Sequence, residues 1–197
     1  MDIDLSVKAR EIVACTRALL AVGGYHSFSY ADISEAVQIS KPSIHHHFPS
    51  KAELVQTVVA VYRQEARAGI ANLERHMPGP LEQLQAYTNF WATCIRARDT
   101  SFCVCAMLAA ELPTLPSEVA AEVRGHFVDL SEWIASVLSR GAAEGIFVLQ
   151  SSPRSEALAL MASVHGAMLS ARAHDDPDLF AEIVNPVLRR LTVRHAA

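Results

Sequence analysis

Three clusters in this 197-residue chain carry side chains able to do chemistry: Ser40-Lys41-Pro42-Ser43, the run His45-His46-His47, and the pair Cys103-Val104-Cys105. Histidine and cysteine raise the question of a metal. Successive residues on a helix point ~100° apart, at ~3.6 residues per turn, so three consecutive histidines cannot converge on one ion. One of them is expected in the core and one or two outside it. The Cys-X-Cys pair offers two soft ligands, but no further cysteine and no acidic or histidine partner lies close in sequence, so no metal site is expected. Two readings of Cys103 and Cys105 stay open. Near a helix start the dipole would favour a reactive thiolate. The apolar neighbours Phe102, Val104, Met107 and Leu108 would instead bury both sulfurs and raise their pKa. Cys15 and Cys94 lie inside apolar helical patterns and read as small hydrophobes. There is no nucleophile elbow, glycine-rich phosphate loop or His-Glu-X-X-His, so neither an enzyme nor a cofactor is expected.

The Ser40 cluster suits a different task. A serine-capped helix start presents free N–H groups and a positive dipole end to phosphate, and small hydroxylated residues in the first turn let the backbone approach bases. Net charge is −4, which argues against indiscriminate coating of nucleic acid. Its distribution is more informative. Residues 1–63 carry six Lys/Arg and six Asp/Glu, and between Glu35 and Glu53 stand Lys41, Lys51 and three histidines with no carboxylate. A surface facing nucleic acid would sit there.

The elements that must position these residues read as all-α, with no hairpin signals between alternating apolar runs. A first helix is expected over about 6–22, with Ile12, Thr16, Leu19 and Leu20 on one face and Gly23-Gly24 as its stop. Ser29 caps a short second helix, with Asp32 at the capping-box position and Ile33, Ala36 and Val37 on its buried side. Ser40 opens a third helix to about His47, with Pro42 in the first turn, where a missing N–H costs little. A long fourth helix covers about 51–76. Beyond it, prolines bound helices near 80–98, 103–112, 116–144, 153–174 and 177–193. No apolar run reaches the ~20 residues of a membrane span, and the acidic start Met1-Asp2-Ile3-Asp4 is unlike a signal peptide, so a cytoplasmic protein without a membrane partner is expected.

The stretch from Ile12 to Leu54 resembles, without a gap, the N-terminal domain of the TetR/AcrR family of transcriptional regulators. The resemblance rests on Ile12-Val13, Gly24-Tyr25, Asp32-Ile33, Ile39-Ser40-Lys41 and above all Ser43-Ile44-His45-His46-His47-Phe48-Pro49-Ser50-Lys51. It implies a helix-turn-helix domain over 1–50, a helical effector-binding and dimerisation domain over 51–197, and double-stranded operator DNA as partner. Carried over by residue, Ser29 and Tyr30 would contact phosphate, Lys41 and Ser43 would face the groove, and His46 and Lys51 would hold the DNA backbone. Ser40, Pro42 and His45 complete the candidate contacts. Gln38 stands where the family has a turn glycine, Pro42 replaces a common glycine, and His45 replaces a common tyrosine, so base specificity cannot be borrowed from relatives.

The second domain resembles the family less closely. The segment from Phe102 to Glu111, with Glu144-Gly145-Ile146-Phe147, is similar to a subgroup in which some members respond to electrophiles or oxidants through a nearby cysteine. Candidate effector residues are therefore Cys103 and Cys105 for a reactive species. For a small organic molecule they are Phe90, Trp91, Cys94, Met107, Phe127 and Trp133, all of which read equally as core. Small residues along 159–170 suggest a homodimer face with Ala162, His165, Gly166 and Leu169 in it. The functional expectation is a repressor released by its effector, with an activator, or a helical interaction protein that binds no DNA, as alternatives.

Overall fold

The structure, a computed structural model, describes residues 5–97 and 102–192. The acidic start at 1–4 and the expected last residues of two helices, 98 and 193, lie outside the described residues. Among the described residues there are nine α-helices and no strand. They are α1 (Val7–Gly23), α2 (Tyr30–Val37), α3 (Lys41–His47), α4 (Lys51–His76), α5 (Pro80–Ala97), α6 (Val104–Ala110), α7 (Ser117–Ala143), α8 (Pro153–His174) and α9 (Leu179–Leu191). No helix is long and apolar enough to cross a membrane among the described residues.

The chain forms two compact units, Met1–Arg67 with Phe102–Phe127, and Ala68–Ser101 with Val128–Ala197. In the first, α1 begins where Ser6 Oγ accepts from the Ala9 N–H at 3.2 Å, and it buries Ile12, Val13, Thr16 and Leu20 against α2 and α6. It ends at Gly24, whose φ of +80° is open to glycine at little cost. A Cβ there would also lie 2.4 Å from Glu111 Oε2. A 3₁₀ turn, Tyr25–Ser27, leads to α2. The capping box is complete: Ser29 Oγ accepts from Ala31 N–H at 3.1 Å, and the Asp32 carboxylate accepts from Ser29 N–H at 2.7 Å. The expected buried side of α2 is narrower than its apolar pattern. Ile33 is buried, Val37 is half-buried and Ala36 is exposed, because so short a helix turns only one side chain fully inward.

Ser40 Oγ accepts from Ser43 N–H at 3.3 Å to open α3, with Pro42 in the first turn. Ile44 on α3 and Phe48 just after it are buried. The first half of α4 then contributes Leu54, Val55, Val58 and Val59, each at most 1% exposed. Burial of such side chains stabilises by about 1.5–3 kcal/mol apiece.

In the second unit α8 packs along α9, and α5 lies against both. After α7 the chain turns at Gly145 (φ +72°) and makes one antiparallel bridge between Phe147 and Thr192, with Val148 N–H donating to Leu191 C=O at 2.8 Å. Gly141 leaves room for the Phe147 ring, which a Cβ would meet at 2.2 Å.

Gln38 ends α2 at φ +55°, ψ +45°, the left-handed region. A side chain there costs about 1–2 kcal/mol, partly offset by its Nε2–H donating to Glu35 C=O at 2.7 Å. Gln38→Gly should therefore raise the unfolding free energy by about 1 kcal/mol in denaturant melts. An unchanged or lower midpoint would mean that the side-chain bond outweighs the backbone strain.

Candidate nucleic-acid interface

The first turn of α3 is open to solvent. Ser40, Lys41 and Pro42 are exposed, and Ser43 is half-buried beside them. Lys41 makes no ion pair among the described residues, so its ammonium is free to meet a phosphate or a base edge. The opposite side of the helix is its anchor, through Ile44 and Phe48.

The three histidines fan out as their spacing requires. His45 and His46 are exposed and His47 is half-buried. His45 lies on the Tyr30 ring, with centroids 4.7 Å apart, and its Nδ1 is 3.2 Å from the Pro49 carbonyl oxygen. No group of three or more His, Cys, Asp or Glu among the described residues is placed to hold a metal.

Two expected phosphate ligands are held within the protein. The Tyr30 hydroxyl donates to the Phe48 carbonyl at 2.9 Å, and a phenol has one proton to give. Burial, with Glu53 and Tyr25 nearby, pushes its pKa up to about 12, so this bond persists across the physiological range. Lys51 is half-buried, donates to the Phe28 carbonyl, and lies over the Phe28 and Tyr25 rings at 4.1 and 4.8 Å. Burial lowers its pKa, while the Glu111 and Asp32 carboxylates act in the opposite sense. Ser29 is exposed, yet its hydroxyl is engaged with Asp32 at 2.8 Å.

Glu111, which has no chemical partner evident in the sequence, accepts from the Tyr25 N–H at 2.6 Å across 86 positions. Thr114 Oγ1 lies 3.2 Å from His26 Nε2 beside it. The segment after α6 thus grips the turn that precedes α2, within one unit. Only the contact between distant segments identifies Glu111, since the sequence holds no local signal for it.

Cys103 and Cys105 are both buried completely. Cys103 is the residue before α6, and its Sγ accepts from the Tyr62 hydroxyl at 3.3 Å and lies 4.0 Å from His126 Nε2. The Cys105 thiol is pushed well up by its hydrogen bond to Cys103 and by burial, so it stays protonated at neutral pH. A dipole-activated thiolate at Cys105 is therefore not what this fold provides. The residues expected to meet an effector divide between the units. Cys103, Cys105, Met107 and Phe127 belong to the first, Trp91 and Cys94 to the second, and Phe90 is 59% exposed on α5. On α8, Ala162, Gly166 and Leu169 are exposed and His165 is half-buried, all on one side of the helix.

A serine-capped helix with an exposed first turn, packed on two further helices at the N-terminus, defines a helix-turn-helix DNA-binding protein. The family model for bacterial regulatory proteins of the tetR family matches residues 12–58, and that for the tetracyclin repressor-like C-terminal domain matches residues 80–186. A TetR-family transcriptional regulator from Agrobacterium tumefaciens, known by its crystal structure, is 55% identical, with 94% of this chain and 98% of that one covered at a TM-score of 0.93. The HTH-type transcriptional regulator CymR of Pseudomonas putida is 26% identical over 94% of this chain and 90% of its own length. The reduced form of E. coli NemR shares the fold at a TM-score of 0.83, with 15% identity and coverage of 96% and 100%. The chain belongs to the TetR family of transcriptional regulators, which are DNA-binding proteins and not enzymes.

Because the Tyr30 hydroxyl is spent on Phe48, Tyr30→Phe should lower the unfolding free energy by about 1 kcal/mol. The salt dependence of DNA binding should stay unchanged in the same variant. A shallower salt slope in Tyr30→Phe would instead make the hydroxyl a phosphate ligand.

Proposed function

We propose that this regulator is a homodimeric repressor that places two copies of α3 in successive major grooves of its operator and leaves DNA when a small-molecule or electrophilic effector acts on its second domain. The observation that carries the reading is the exposed, serine-capped first turn of α3 with Lys41 unpaired. Residues 1–50 serve as the DNA-binding domain and 51–197 as the effector and dimer domain, joined by α4. Two-fold symmetry would set the reading helices roughly 34–36 Å apart, and an effector that changes this spacing releases the operator.

The dimer surface is assigned to the open side of α8. Leu158 and Leu169 are 43% and 56% exposed, and between them Ala162 and Gly166 leave the backbone open to close approach. A Cβ built on Gly166 meets nothing within 4 Å. For an electrophile, Cys103 is the favoured sulfur because Tyr62 and His126 flank it. Addition to an electron-poor alkene forms a sulfur–carbon bond and leaves the thiol proton on the adduct. For a non-covalent effector, Trp91 and Cys94 on α5 supply apolar surface.

Mobility shifts on the intergenic DNA upstream of its own gene test the DNA reading. Lys41→Ala should weaken binding and flatten the log K against log salt slope by about one. Transcription from that promoter should rise when the gene is deleted, and a fall would make the protein an activator. A quinone that releases DNA from wild type but not from Cys103→Ser would support covalent sensing, whereas equal release from both removes Cys103 from the mechanism. Leu169→Glu should convert a dimer to a monomer in analytical ultracentrifugation, and a dimer that persists would move the interface elsewhere.

A further inference from the structure

In the second unit, Gln83 and Tyr87 stand four residues apart along one face of α5, and side chains of α7 meet both. Arg140 donates to Gln83 Oε1 at 2.6 Å, and two turns earlier on α7 the Trp133 ring meets that of Tyr87 edge to face, with centroids 5.6 Å apart at 73°. Trp133 is 8% exposed, and its Nε1 is sealed from solvent with no acceptor among the described residues. An indole N–H is a donor only, so nothing but an acceptor can satisfy it, and burial without one is costly. Two buried polar side chains of the same unit show the usual solution. Gln83, 2% exposed, also donates to Met77 C=O at 2.7 Å, and Thr88 donates to Leu84 C=O at 3.1 Å.

We propose that Trp133 Nε1 is the donor that reads a bound ligand, and that this ligand is a flat, largely apolar organic molecule with one acceptor oxygen, a carbonyl or a carboxylate. The ring edges of Trp133 and Tyr87 favour a planar partner, since aromatic groups pack edge to face or offset at such distances. A sealed site favours an apolar body with few polar atoms placed to match. The inference rests on the reading of 51–197 as an effector domain and supplies the chemical class that reading lacks.

The test uses the full-length protein labelled with ¹⁵N, whose two tryptophans give two indole N–H resonances, assigned with Trp91→Phe and Trp133→Phe. Acetophenone, benzoate and ethylbenzene are the probes, titrated to their solubility limits. The Trp133 resonance should move downfield and saturate with acetophenone or benzoate but not with ethylbenzene, which has the ring without the oxygen. Which of the first two acts separates a neutral carbonyl from a carboxylate. Trp133→Phe should lose about tenfold in affinity for the active probe. If that variant does not fold, the wild-type titrations decide alone. No downfield shift with either oxygen-bearing probe, or the same shift with ethylbenzene, overturns the proposal. A probe that saturates Trp133 while operator DNA stays bound upholds the site and instead removes effector release from the function proposed above.

Discussion

A seven-residue helix cannot hold itself together in water, because a first turn fixes several dihedral angles for each hydrogen bond gained. The reading helix α3 is such a helix, and its existence depends on what it buries. Ile44 is fully buried, Phe48 is 4% exposed, and the Tyr30 hydroxyl clasps the Phe48 carbonyl at the point where α3 ends. This clasp orients the exposed side of the helix. With Ile44 and Phe48 turned inward, Lys41 and the histidines at 45 and 46 have no other direction than outward. The same demand explains why two plausible DNA ligands, Tyr30 and Lys51, are turned to internal carbonyls: a short reading helix needs polar anchors at its rear more than further contacts in front.

Lys51 makes the second anchor. Its ammonium closes on the Phe28 carbonyl between two aromatic rings, where a cation over ring faces is favourable even when partly desolvated. Glu111 completes the arrangement by accepting from the Tyr25 N–H and by sitting where Gly24 has no Cβ. The turn between α1 and α2 is thus fastened from α4 on one side and from the segment after α6 on the other, all inside one compact unit. The entry to α2, the first helix of the helix-turn-helix, is tied to the segment after α6 by a direct hydrogen bond.

The order and limits of the helices were legible in the sequence because local signals mark them: Ser6, Ser29, Ser40 and Ser152 each cap a helix, and Pro42, Pro80 and Pro153 stand in first turns. The strain at Gln38 was legible only through the family resemblance, which places this residue where relatives have a turn glycine. What was not legible depends on contacts between distant segments. Nothing near Tyr30 in sequence announces that its hydroxyl will meet residue 48, nothing near Glu111 announces Tyr25, and His126 reads as an ordinary helical residue until α4 and α6 bring Tyr62 and Cys103 to it. Burial was overestimated on α2 for the opposite reason: apolar periodicity records which side chains can face a core, and Ala36 has none to face.

Buried polar side chains help separate function from packing in a helical protein, because helices can satisfy many of them at no distance. Thr16 donates to Ile12 C=O at 2.8 Å and Thr88 to Leu84 C=O at 3.1 Å, each one turn back on its own helix, so neither needs a role beyond the fold. Cys103 and Trp133 differ from these threonines. Cys103 gathers the Tyr62 hydroxyl and the His126 imidazole from two other helices around one sulfur. Trp133 keeps a donor that nothing described answers. An apolar residue of similar size at either place would pack as well and avoid the desolvation, so stability alone does not account for these choices. The sulfur cluster is already hydrogen-bonded and would have to open before it reacts, while the indole N–H can be satisfied without breaking a hydrogen bond of its own side chain.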